Sequence, residues 1–212
     1  MASPQRSLPG LGMLAGPFYL VVSLIQAGIR DGFDLMRHPL SLLANGPGGW
    51  VQTANFLLTG FMVIASAVGF RRVLGQKARA ASLFLGGFGA CMIVAAGFPA
   101  DPADGFPLGT PPGYPTSIST TGMVHFVAGA LGFTFLAVSC LIASRVMSRR
   151  NTPSLARLSL FSGLAVLLGF FGGPMLPSMS AVVLGIWFSV LVGWAWLAVM
   201  SRHVSRLTPE TG

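Results

Sequence analysis

Six uninterrupted apolar stretches, at 11–29, 51–70, 80–98, 123–143, 158–177 and 181–200, divide the chain. Each is about 20 residues long, the length a helix rising about 1.5 Å per residue needs to cross ~30 Å of hydrocarbon. Strands of a membrane barrel would be about half as long and would alternate apolar with polar residues, which these stretches do not. The expected fold is therefore all-α, a polytopic membrane bundle of six transmembrane helices. Composition agrees: with 53% hydrophobic and 8% charged residues the chain cannot clothe a water-facing surface, where about a quarter of residues are ordinarily charged. Membrane lipid is the expected surrounding partner.

Where the cations fall sets the expected orientation, because Lys and Arg are retained on the cytoplasmic side during insertion. Arg6 precedes the first stretch; Arg71, Arg72, Lys77 and Arg79 separate the second from the third; Arg145, Arg149, Arg150 and Arg157 separate the fourth from the fifth; Arg202 and Arg206 follow the sixth. Both tails, 1–10 and 201–212, are thus expected in the cytoplasm of a multi-pass cell-membrane protein whose membrane domain is 11–200. The first stretch is too long for a signal-peptide core, so a retained helix is expected, although Ile25-Gln26-Ala27 faintly mimics a cleavage site. The formal charge of +8 does not imply nucleic-acid binding, since the cations sit between apolar stretches and not on a soluble face interleaved with aromatics. Cys91 and Cys140 lie inside apolar stretches and are expected to be free. Small residues at helix-contact spacing, Gly86 and Ala90, Gly169 and Gly173, Gly185 and Ser189, suit close packing, and Trp50, Trp194 and Trp196 suit the two membrane interfaces.

Side chains able to do chemistry collect in two loops on the other side, 30–50 and 99–122, which hold four of the five carboxylates: Asp31, Asp34, Asp101 and Asp104. In the first loop Pro39 is placed to begin a short helix that Asn45-Gly46 would end, dipping Leu40, Leu42 and Leu43 inward and leaving Asp31, Asp34 and His38 near water. A solvated loop whose opposite charges neutralise each other is the plainer alternative. In the second, Asp101-Pro102 and Asp104-Gly105 are turn formers. That loop is long for a compact bundle, and Phe106, Pro107, Leu108 and Tyr114 argue against plain disorder, so a lid over the outer mouth is expected.

His125 follows Thr120 and Thr121, either of which could cap the fourth helix, and so falls just beneath the outer surface. Gln26, Gln52 and Asn55 lie in the outer third of their helices, and buried amides need partners. These residues are expected to converge: His125, Asp101, Asp104, Asn55 and Gln26, with His38 and Asp34 nearby, form a candidate polar cluster facing outward. A neutral His125 bonded to Asp, Gln26 or Asn55 is the alternative. No charge lies mid-membrane, which weighs against an ion-coupled transporter.

The sequence HPLSLLANGPGGWVQTANFLLTG, then GFPADP, then a Thr/Ser-rich approach to GMVH, resembles the six-helix prokaryotic membrane family catalogued only as domain of unknown function 998. The resemblance spans about residues 11–200. It implies a six-helix integral membrane protein and supplies no reaction, substrate or catalytic residue.

Three functions remain open. One is a binding protein or sensor whose outer polar pocket accepts a lipid headgroup or small amphiphile. Another is a lipid hydrolase in which His38, His125 and Asp101 hold a divalent metal, although no HxxxH or HExxH spacing strengthens it. The third is a structural or assembly subunit. A haem is not expected, since His125 has no histidine partner within the helices.

Overall fold

The structure is a computed structural model describing residues 4–113, 115–175 and 178–207, without the side chains of 4–7 and 179. Tyr114 and Pro177 therefore lie outside the described residues. Six helices form: α1 (Pro4–Ile29), α2 (Gly49–Leu74), α3 (Arg79–Gly97), α4 (Thr120–Arg149), α5 (Pro153–Gly172) and α6 (Met179–Val204). All six are long and apolar enough to span a membrane, and the described residues contain no strand. Beginning at Pro4 and ending at Val204, the helices reach into both expected tails.

Local chemistry sets the ends. Ser119, not Thr120 or Thr121, caps α4: its hydroxyl accepts the Gly122 amide at 3.0 Å, while Thr121 only bonds the Ser119 hydroxyl. Pro153 opens α5, where a missing amide proton costs nothing. Helices α2, α4 and α6 each end on cations, Arg71 and Arg72, Arg149, and Arg202, which complement the negative ends of their dipoles. All three ends lie on one side of the bundle, called here the terminal face; the loops at 30–48 and 98–119 make the opposite loop face.

Each helix packs on its sequence neighbours and α1 packs on α6, so the six close into a ring. Glycines set the closest approaches. A Cβ on Gly60 would meet the Gly89 carbonyl at 2.8 Å, and one on Gly89 would meet the Gly60 carbonyl at 2.7 Å, so α2 and α3 touch backbone to backbone. The expected Gly86 and Ala90 contact is displaced by this one: a Cβ on Gly86 meets only the Ala67 methyl, at 3.8 Å. Between α5 and α6 the expected glycines are used, since a Cβ on Gly169 would meet the Gly185 carbonyl at 2.9 Å.

Two tryptophans depart from expectation. Trp194 packs on Tyr19 and Phe88 at 5.6 and 5.7 Å between ring centres. Trp196 is 1% exposed and donates its indole proton to the Ser159 hydroxyl at 2.9 Å. Neither forms an interfacial belt, because a buried serine supplies one indole with its acceptor and an aromatic cluster takes the other. Trp50, at the start of α2, is exposed as expected.

Candidate functional site

The two loops are stitched into a roof over the ring. Asp104 is the hub. Its carboxylate pairs with Arg37 Nη2 at 2.8 Å and accepts from Arg37 Nε at 2.9 Å and the Gly113 amide at 2.9 Å. Its carbonyl accepts from Arg37 Nη2 at 3.1 Å and His38 Nε2 at 3.0 Å. Asn45 donates to the Ala100 carbonyl, and Arg30 donates to the Leu43 and Asn45 carbonyls while lying over the Phe106 ring, 5.0 Å from its centre. Trp187 of α6 donates to the Leu35 carbonyl at 3.1 Å, fastening the roof to the ring. The short helix expected at Pro39 is a 3-10 turn, Leu40–Ala44, with Leu40, Leu42 and Leu43 buried.

His38 is the first correction. Expected near water, it is 0% exposed, between the rings of Phe33 and Phe106 at 5.3 and 5.7 Å. The Asp34 amide donates to Nδ1 at 2.9 Å, so Nε2 carries the proton given to the Asp104 carbonyl. Both nitrogens are occupied, and the ring is the core of the roof. Asp34 itself is exposed, its carboxylate taking the Met36 amide at 2.8 Å.

The Arg37 guanidinium and the Gly113 amide hold the Asp104 carboxyl down from its ordinary 3.8 to about 2. A depressed carboxyl supports the fold above its unfolded value and loses that support as pH falls through its folded one. Amide exchange of residues 98–113 is accordingly expected to stay constant from neutral pH to about 4 after correction for intrinsic rates, and to rise between about 4 and about 2. Asp104→Asn should abolish that inflection.

Asp101 has a different place. Its Oδ2 accepts the Ser119 amide at 3.0 Å, and a Cβ on Gly122 would collide with its carboxylate, which therefore rests on the first turn of α4.

Gln26 and Asn55 form a third group, a polar seam between α1 and α2. The Gln52 Oε1 atom accepts from Gln26 at 2.8 Å, Ser23 at 3.2 Å and Asn55 at 3.3 Å. Asn55 also donates to the Tyr19 carbonyl at 3.0 Å and accepts from Thr59 at 3.2 Å. Ser23 and Thr59 were missed in the sequence, though Gln52, Asn55 and Thr59 share one helical face by spacing alone.

His125 joins none of these hydrogen-bonded groups. Its Nδ1 lies 2.9 Å from the Phe98 carbonyl, which only accepts, so Nδ1 carries the proton. The ring ties the exit of α3 to the second turn of α4, with Phe56 in edge contact. The expected single cluster is thus divided into a roof hub, a helix-start carboxylate, an α1–α2 seam and a separate histidine. The physical reason is that each group found nearer partners, mostly backbone atoms of helix ends and turns, whose positions sequence spacing does not give.

Beneath the roof the ring encloses a cavity of about 380 Å³. Tyr19, Phe88 and Trp194 line it deep between the helices, with Phe133, Phe170 and Val190 among the walls. Polar lining is concentrated near the roof: Arg37, Ser41, Asp101 and His125. Of the lining residues, Ile118 and Phe126 are 63% and 67% exposed, so the cavity reaches the exterior beside the start of α4. Cys91 also lines it, whereas Cys140 is buried elsewhere; both are free. The aromatic lining was not singled out in the sequence, where apolar residues on lipid-facing and inward-facing sides look alike.

Compared with known proteins, residues 13–203 match the model of a family described as Protein of unknown function (DUF998). No curated protein and no solved structure matches the chain.

Proposed function

The chain belongs to the DUF998 family, whose description assigns no activity, and from that premise we propose that this integral membrane protein binds an amphiphile, its hydrocarbon part in the ring and its polar head under the roof. The observation that carries the reading is the cavity. Its volume of about 380 Å³ falls in the range of small-molecule pockets, roughly 300–1,000 Å³. Apolar walls below and a few polar groups above match a molecule with one greasy end. The mouth beside α4 opens where a lipid could enter sideways. With ten of the 12 cations whose side chains are described lying on the terminal face, the loop face is extracytoplasmic and the ligand is drawn from the outer leaflet.

A metal-dependent hydrolase receives no such support. His38 has both nitrogens engaged, and among the described residues no three of His, Cys, Asp or Glu gather as a metal site requires.

Purified protein is expected to carry co-purifying lipid by native mass spectrometry. Ala128→Trp, which places an indole in the lining, should reduce that occupancy at least severalfold while the protein remains monodisperse. A reporter inserted at 108–113 should read outside and one at 71–79 should read cytoplasm. Protein that binds no amphiphile, with or without the indole, would leave a structural subunit as the function.

A further inference from the structure

Resting on that reading of the cavity, we propose that the head of the bound amphiphile is zwitterionic, its anionic group read by Arg37 and its ammonium by Asp101. Apart from His125 and the Tyr19 phenol, the only ionisable oxygen and nitrogen groups among the described lining residues are these two, of opposite sign and both near the roof. Each leaves one charged atom unengaged among the described residues. Arg37 spends Nε and Nη2 on Asp104, while Nη1 makes no hydrogen bond and the side chain is half-exposed. Asp101 accepts the Ser119 amide at Oδ2, and Oδ1 accepts from no donor among the described residues.

A purely anionic head would satisfy Arg37 and set its charge against the Asp101 carboxylate. A purely cationic head would do the reverse. A neutral head would leave both charged atoms without a partner as bound chain displaces water from around them, and unmatched charges in a drying site oppose binding. One molecule carrying a phosphate and a primary ammonium answers both, since each end forms a charge-assisted hydrogen bond. The geometry of the Asp101 carboxylate is fixed in advance, because Gly122 leaves the space it occupies and the start of α4 holds it.

The test is native mass spectrometry of the full chain in detergent, titrated with four probes of one acyl length: lysophosphatidylethanolamine, lysophosphatidylglycerol, a monoacylglycerol and an alkylamine. The phosphatidylethanolamine form should bind about fivefold to tenfold more tightly than the other three, as one added charge-assisted hydrogen bond at a partly exposed site would give. Asp101→Asn keeps an acceptor for the Ser119 amide and should erase the preference over the phosphatidylglycerol form while both still bind. Equal binding of all four probes by the unaltered protein would overturn the zwitterion assignment and leave the amphiphile pocket standing. Binding of none of them would remove the pocket itself. Because selectivity is read on the unaltered chain, poor folding of the variant would not shelter the proposal.

Discussion

Alanine in place of Gly89 is expected to destabilise the protein by about 2 kcal/mol, while alanine in place of Gly86, one turn away on the same helix, is expected to be neutral or stabilising. The difference lies in what the added methyl meets. At Gly89 it meets the Gly60 carbonyl at 2.7 Å and the Ile64 amide nitrogen at 3.2 Å. Those are backbone atoms of α2 and cannot rotate away, so α2 and α3 must separate. At Gly86 the methyl meets the Ala67 methyl at 3.8 Å, an ordinary contact, and alanine gains up to about 1 kcal/mol of helix propensity. Leucine at Gly60 or Gly89 should exceed what separation can absorb and abolish recovery of monodisperse protein. Thermal unfolding in one detergent decides the alanine pair: at roughly 2–4 °C per kcal/mol for a chain of this size, the two melting points should differ by several degrees. Equal melting points would show that the α2–α3 crossing is not set by this contact.

The same pair shows what the sequence could and could not disclose. Hydrophobic length announces the six helices, because lipid admits only helices and closed barrels, and barrel strands would be about half as long and alternating. Small-residue spacing announces that α3 packs closely, yet Gly86 and Gly89 are equally small, and only the rotation of α3 against α2 decides which one touches. His38 illustrates a second limit. Its loop position predicted water, but the roof has its own core of Phe33, His38 and Phe106, assembled from segments more than 60 residues apart. Nothing local to His38 reveals that Asp104 will bring a carbonyl to it. That the second loop would be ordered was legible, because a long loop rich in Phe, Pro and Leu has apolar surface to bury, as Phe106 does. The cavity was not, since it is made by ring closure of α1 on α6, a contact between the two ends of the chain.

Leucine in place of Gln52 alone is expected to destabilise the protein by about 2 kcal/mol, whereas leucine at both Gln26 and Gln52 should restore most of that loss. The Gln52 Oε1 atom is the shared acceptor of Gln26, Ser23 and Asn55. Without it Gln26 Nε2 keeps only a longer bond to the Val22 carbonyl at 3.3 Å, and the Ser23 hydroxyl loses its acceptor. A buried donor left unsatisfied costs about 1–3 kcal/mol, and hydrocarbon offers no water to replace the partner. Interhelical hydrogen bonds in membranes are themselves worth little, on the order of 0.6 kcal/mol, so most of the single-variant loss comes from orphaned donors and not from the bond removed. The parent seam already holds two buried atoms without a partner among the described residues, Gln26 Oε1 and Gln52 Nε2. The double variant removes both of those and the weakened Gln26 Nε2 donor, leaves the Ser23 hydroxyl to turn back onto a carbonyl of its own helix, and substitutes side chains of similar length that pack α1 on α2. A thermal-unfolding cycle over the parent, the two single variants and the double should therefore show strong coupling, with the double more stable than Gln52→Leu. Additive losses would mean that Gln26 and Gln52 do not act through one another, and that each supports the seam through its other contacts.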